Sequence, residues 1–92
     1  MREIKFSLSE GRYVSDTFAA TGTSMAVRVE FEKAGSCTLM KSIDTGKFVP
    51  SAALLGYADD VKVVEKTVLG VVPAQNFYID FNSKAVPAKI NV

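Results

Sequence analysis

Histidine and tryptophan are absent from this 92-residue chain, and cysteine occurs once. Without histidine the commonest general base and the commonest metal ligand are missing, and without tryptophan so is the strongest aromatic platform for sugars and cations. A lone Cys37 allows no intrachain disulfide and no structural zinc site with two or more cysteine ligands. No apolar run approaches a membrane span, and the first eight residues alternate charge with apolar side chains, unlike a secretory signal. These absences set the first expectations: a protein that is not an enzyme, carries no cofactor, and is made in a reducing cytoplasm without a signal peptide.

Charge of either sign is not in excess. The 11 basic and 10 acidic residues leave a net charge of +1, with basic residues scattered from Arg2 to Lys89. Such a balance offers no broad field for nucleic acid or anionic lipid, so neither partner is expected. At 92 residues with 48 % hydrophobic and 23 % charged content, the chain is expected to form one domain over residues 1–92 with a modest core.

What is present is alternation. Met25, Val27, Val29 and Phe31 share one parity and Arg28, Glu30 and Glu32 the other, the period-two signature of a half-buried strand. Lys33-Ala34-Gly35 then leads into a second extended run, Ser36 to Ile43, and the pair is read as a β-hairpin. In its second arm Cys37 and Leu39 are expected inside, with a bulge before Ile43 keeping Lys41 in water. Ile4, Phe6 and Leu8 form an earlier short strand, and Tyr13 to Thr21 another anchored by Phe18. Asp44-Thr45-Gly46 is turn chemistry and predicts a reversal. Pro50 assigns Lys47 to Leu55 to an edge strand or a break, with one helical turn conceivable at 52–55. Tyr57 to Asp60 reads as a loop and Val61 to Leu69 as a β-branched strand. Pro73 marks a wide turn before Phe77, Ile79 and Phe81, and Val86, Ala88, Ile90 and Val92 alternate at the end.

The fold class is therefore all-β: a single antiparallel β-sandwich of 7–8 short strands, immunoglobulin-like or jelly-roll. Its expected core is Phe18, Val27, Val29, Phe31, Leu39, Val63, Phe77, Ile79, Phe81 and Ile90.

Candidate chemistry is sparse. Cys37 sits on an alternating strand with no histidine to activate it and reads as a buried structural thiol. Asp59-Asp60 with Asp44 offers oxygens for calcium only if separate loops converge, and the spacing of a calcium loop is missing; solvated turn residues are the plainer reading, and no metal site is assigned. Arg28, Glu30 and Glu32 are first the wet side of a sheet. The sharper alternative makes them, with Tyr57 and Tyr78, a partner-contact face.

Two segments carry a resemblance. Ser42-Ile43-Asp44-Thr45-Gly46-Lys47-Phe48 is similar to the hairpin turn of many small β-sandwich modules, although Thr45 is inserted between the Asp and the Gly. Pro73-Ala74-Gln75-Asn76-Phe77-Tyr78-Ile79 is similar to the loop leading into their penultimate strand. In length and strand rhythm the chain resembles the short auxiliary or decoration proteins on the heads of tailed bacteriophages, some of them immunoglobulin-like. The resemblance implies a structural module on a virion surface whose partners are other protein subunits, docked by shape-complementary packing or by strand addition through 3–8 or 47–55. Carbohydrate-binding and adhesin-like sandwiches share these turns, so a glycan-binding module using Tyr57 is the alternative.

Overall fold

The computed structural model describes residues 2–33, 35–43, 46–55, 62–82 and 85–92, with 52–55 as backbone only. Those residues form ten strand segments: β1 (Glu3–Ile4), β2 (Phe6–Ser9), β3 (Arg12–Ser15), β4 (Phe18–Ala19), β5 (Ser24–Lys33), β6 (Ser36–Ser42), β7 (Phe48–Leu55), β8 (Val63–Leu69), β9 (Asn76–Phe81) and β10 (Val86–Asn91). They make two antiparallel sheets. A four-stranded sheet runs β1-β10-β5-β8, and a six-stranded sheet runs β2-β3-β9-β6-β7 with β4 also paired to β9. The all-β sandwich expected from the alternation is the fold observed. The count exceeds eight because two expected strands are each cut in two. The first crosses from one sheet to the other at Lys5, and the second breaks between Ser15 and Phe18.

Ladder order decides between the two sandwich types. β6 pairs with β7, β5 with β8, β3 and β4 with β9, and β1 with β10. This nesting is one long hairpin whose tip lies between β6 and β7; rolling it up adds the β10–β5 and β6–β9 ladders. The connectivity is that of a jelly roll. In an immunoglobulin domain the last two strands are neighbours in one sheet, whereas β9 and β10 lie in different sheets.

The hairpin read across 25–43 is therefore overturned. β5 and β6 are consecutive but belong to opposite sheets. Each is already paired on both sides, β5 with β10 and β8, β6 with β9 and β7, so neither has an edge left for the other. The chain crosses the sandwich at Gly35, where a Cβ would lie 2.6 Å from Ala85 Cβ and 2.8 Å from its Cα. Glycine is needed there for close approach, not for a hairpin turn. Asp44 and Thr45, where a reversal is expected, lie outside the described residues; on either side of them β6 and β7 pair antiparallel, Ile43 N–H donates to Lys47 C=O (2.9 Å), Gly46 N–H donates to Ile43 C=O (2.8 Å), and Gly46 has φ 81°.

Inner rows of β5 and β9 meet across the core, with Phe31 and Phe81 edge-to-face at 5.8 Å. Phe18 stacks on Phe77 at 6.1 Å. Nine of the ten expected core side chains are buried, and Val63 is the exception at 44 % exposure. Val63 pairs with Glu30 on the outer face, while Val64, opposite Val29, packs on the core; a run of two valines gives no parity signal. In β10 the expected row of Val86, Ala88 and Ile90 is also corrected. A bulge at Ala88 separates Pro87, opposite Phe31, from Lys89, opposite Glu30, so Pro87 and Ile90 point inward and Ala88 is exposed.

Pro50 lies in β7, an edge strand as expected. The segment 52–55 continues that strand and makes no helical turn. The bulge expected in β6 falls on its partner: Leu39 pairs with Ala52 and Met40 with Pro50, leaving Ser51 as the extra residue. Lys41 keeps its inward parity, opposite Phe77, and is half-buried rather than in water. Where β3 stops, the Ser15 hydroxyl takes over the ladder, accepting from Ile79 N–H at 2.7 Å and donating to Asp16 C=O at 3.0 Å.

Candidate functional site

Each sheet turns one face to the core and one outward, and the two outer faces differ. On the four-stranded sheet the outer positions of β5 are Ala26, Arg28 and Glu30. Opposite them on β8 stand Thr67, Glu65 and Val63, and on the β10 side Asn91 and Lys89 lie opposite Arg28 and Glu30. Arg28 is the hub, its Nη1 2.8 Å from Glu30 Oε1 and its Nε 2.9 Å from Glu65 Oε1. The hydrogen bond to Glu30, helped by the charge of Glu30 and by Glu65, raises the guanidinium above its ordinary pKa despite some desolvation. Arg28 is therefore a fixed cation whose charge is answered within its own face.

On the six-stranded sheet a group of outer positions carries apolar side chains among polar ones. Met40 lies opposite Tyr78 across the β6–β9 ladder and opposite Pro50 across the β6–β7 ladder. Phe48, opposite Ser42, sets its ring edge-to-face against Tyr78 at 4.9 Å and 72°. Tyr78, Met40 and Phe48 are half-buried and Pro50 is exposed. One row away, Val14 and Thr38 flank Asp80 on β3 and β6. Arg12 Nε approaches Asp80 Oδ1 at 3.1 Å without the alignment of a hydrogen bond. The result is an apolar strip across three strands with an ion pair at its rim.

The turn before β9 is fastened to the same strip. Gln75 Nε2 donates to Ser42 C=O at 2.8 Å, and Asn76 N–H to Ser42 Oγ at 3.2 Å. Gln75 Oε1 accepts from Val72 N–H at 3.3 Å, and Ala74 takes a left-handed φ of 68°. The described residues of the two segments that carried the resemblance, 42–48 and 73–79, are thus neighbours in space.

The residues expected to form one contact face are divided. Arg28 and Glu30 lie half-buried, and Glu32 exposed, on the four-stranded sheet; Tyr78 lies on the outer face of the other. Parity assigns a side chain to inside or outside but not to a sheet, and β5 and β9 are in different sheets. Tyr57, with Asp59 and Asp60, and Asp44 lie outside the described residues. No contact role was expected of Met40, Phe48 or Pro50, although the irregular parity of β6, with apolar Met40 on the outward side, was the available signal. Cys37 is buried between strands as expected, and desolvation pushes its thiol up to about 12; a thiol held neutral is a poor nucleophile.

Comparison with known protein families, with curated proteins and with solved structures finds no match to this chain.

Proposed function

We propose that this protein is a non-enzymatic structural module that binds to a larger protein assembly, and that the assembly is the head of a tailed bacteriophage. The observation supporting a docking role is the apolar strip of Tyr78, Met40 and Pro50 with Phe48 on the outer face of the six-stranded sheet; the choice of a phage head rests on the resemblance in length and strand rhythm alone. A monomeric protein normally turns a polar outer sheet face to water, as the Arg28 side of this molecule does apart from Val63 and Ala26. A strip of aromatic and Met side chains rimmed by an Arg–Asp pair has the make-up of a protein-binding surface, with apolar centre and charged edge. The half-buried ring pair is pre-ordered, which lowers the entropy lost on docking.

The test is reconstitution on heads of the phage whose genome carries the gene. Saturable, stoichiometric co-sedimentation is expected, abolished by Met40→Asp and retained by Arg28→Gln. A chain that binds no head, or that binds equally well with Met40→Asp, overturns the reading. A glycan-array signal removed by Tyr57→Ala would favour the carbohydrate-binding alternative.

A further inference from the structure

Among the described residues the two sheets end at β1, β8, β2 and β7, beside the two-residue β4 that pairs only with β9, and β1, β7 and β8 carry devices that discourage pairing. β1 is two residues long and holds Glu3. β7 contains Pro50 and the bulge at Ser51. β8 places Lys66 on its inward parity, opposite the buried Val27, with the lysine itself exposed. Proline, bulges, shortness and inward-pointing charge are the ordinary protections of a sheet edge. β2, four residues long with the sequence Phe6-Ser7-Leu8-Ser9, has no proline, no bulge and no inward-pointing charge.

The free side of β2 can be read from its ladder with β3. Asp16 N–H donates to Lys5 C=O at 2.8 Å, and the register continues as Ser7 opposite Val14 and Ser9 opposite Arg12. Bonded and non-bonded positions alternate in an antiparallel pair, so Lys5, Ser7 and Ser9 bond to β3. Phe6 and Leu8 turn their N–H and C=O groups outward, where no strand among the described residues pairs with them. Leu8 is also 64 % exposed. It lies opposite Tyr13 on the inward side of the sheet, beside the edge-to-face pair of Phe6 and Tyr13.

We propose that β2 is a self-pairing edge that takes a second copy of this chain as an antiparallel neighbour centred on Ser7, joining two six-stranded sheets into one. Antiparallel pairing about a two-fold axis normal to the sheet keeps each residue's face, so only residues of the same parity can stand opposite one another. Centring on Ser7 sets Phe6 of each copy opposite Leu8 of the other, and this register alone satisfies the outward N–H and C=O groups of both residues in both copies. It also lays the exposed Leu8 against the partner's Phe6. Charge agrees with the direction: Lys5 stands at one end of β2 and Glu10 just beyond the other, both exposed. The antiparallel arrangement brings Lys5 of each copy to the end where Glu10 of the other stands. The contact is isologous and closes at two copies, on a different surface from the Tyr78 strip.

Sedimentation velocity of the full chain across a concentration series decides the matter. A reversible monomer–dimer equilibrium is expected. Leu8→Pro removes an N–H that faces away from β3, a position at which an edge strand tolerates proline, and is expected to raise the dimer dissociation constant roughly a hundredfold. Should Leu8→Pro lose the β-sheet circular dichroism of the parent, Leu8→Lys replaces it, placing on β2 the protection that Lys66 gives β8. Lys5→Glu is expected to weaken the dimer, and Lys5→Glu with Glu10→Lys to restore it. A chain that stays monomeric up to its solubility limit, or a dimer indifferent to folded Leu8→Pro or Leu8→Lys, overturns the proposal.

Discussion

The two outer faces rest on one core and solve opposite problems. The face around Arg28 is closed on itself: its cation is held by two carboxylates, and Asn91 and Lys89 complete its polar rows, with Val63 the one large apolar side chain among these outer positions. The face around Tyr78 is open, with Met40 and Pro50 opposite one another and the Phe48 ring turned edge-on to Tyr78. Under the docking proposed for the Tyr78 strip, charge on an outer strand is a poor guide to a binding surface when the charges satisfy each other. Apolar residues on outward parity are the better guide, because water gives them nothing in return.

Both faces depend on the inner rows, so the largest effect comes from cutting the core they share. Phe81 is fully buried and meets Phe31 across the sandwich. Phe81→Ala is expected to cost about 3–5 kcal/mol, measured by urea unfolding, and to release both faces in a single transition. A biphasic curve would mean that the sheets are stabilised separately. Gly35→Val attacks the crossing between them. Its first added carbon meets Ala85 backbone and side chain at distances real contacts do not reach, and a loss of about 1–3 kcal/mol is expected, as for overpacking. If β5 and β6 formed a hairpin instead, with Gly35 in an open turn, the same substitution would change stability little.

A smaller effect separates the open face from the closed one. Phe48→Ala, Tyr78→Ala and the double variant form a thermodynamic cycle in which the ring pair is expected to show a coupling of about 0.5–1.5 kcal/mol. A coupling near zero would mean that the strip is not pre-ordered and would weaken its standing as a docking surface.

How much of this could be read in advance follows from what alternation encodes. Val27, Val29, Phe31, Phe77, Ile79 and Phe81 announce two buried rows, and both rows are buried. Pro50 announced an edge strand, and β7 is one. Alternation does not encode which strands pair, and that is where the hairpin reading failed: two amphipathic strands joined by Lys33-Ala34-Gly35 look the same whether they lie side by side or face to face. The need for Gly35 comes from Ala85, fifty residues later in the chain, and no local pattern reports it. Val63 was misplaced because adjacent valines fit either parity, and Ala88 because a one-residue bulge inverts the parity that follows it. The contact face was divided for the same reason as the hairpin. Arg28 and Tyr78 are both outward, but outward from different sheets.

The smallest effect belongs to the closed face, and its smallness is the point. Arg28→Gln removes the hub of the Glu30 and Glu65 contacts, yet those contacts sit at a solvated surface where ion pairs are screened and the side chains give up freedom to form them. The expected loss of stability is below the coupling of the ring pair and shrinks further as salt is raised. Arginine is charged throughout the alkaline range and the neighbouring carboxylates favour the charged form of Arg28 further, so the salt response should be the same at neutral and moderately alkaline pH. If Arg28→Gln instead proved as costly as the Phe81 variant, or abolished head binding while Met40→Asp did not, the faces would have to be exchanged. The strip around Tyr78 would then be packing surface, and the row of Arg28, Glu30 and Glu65 the surface that meets a partner.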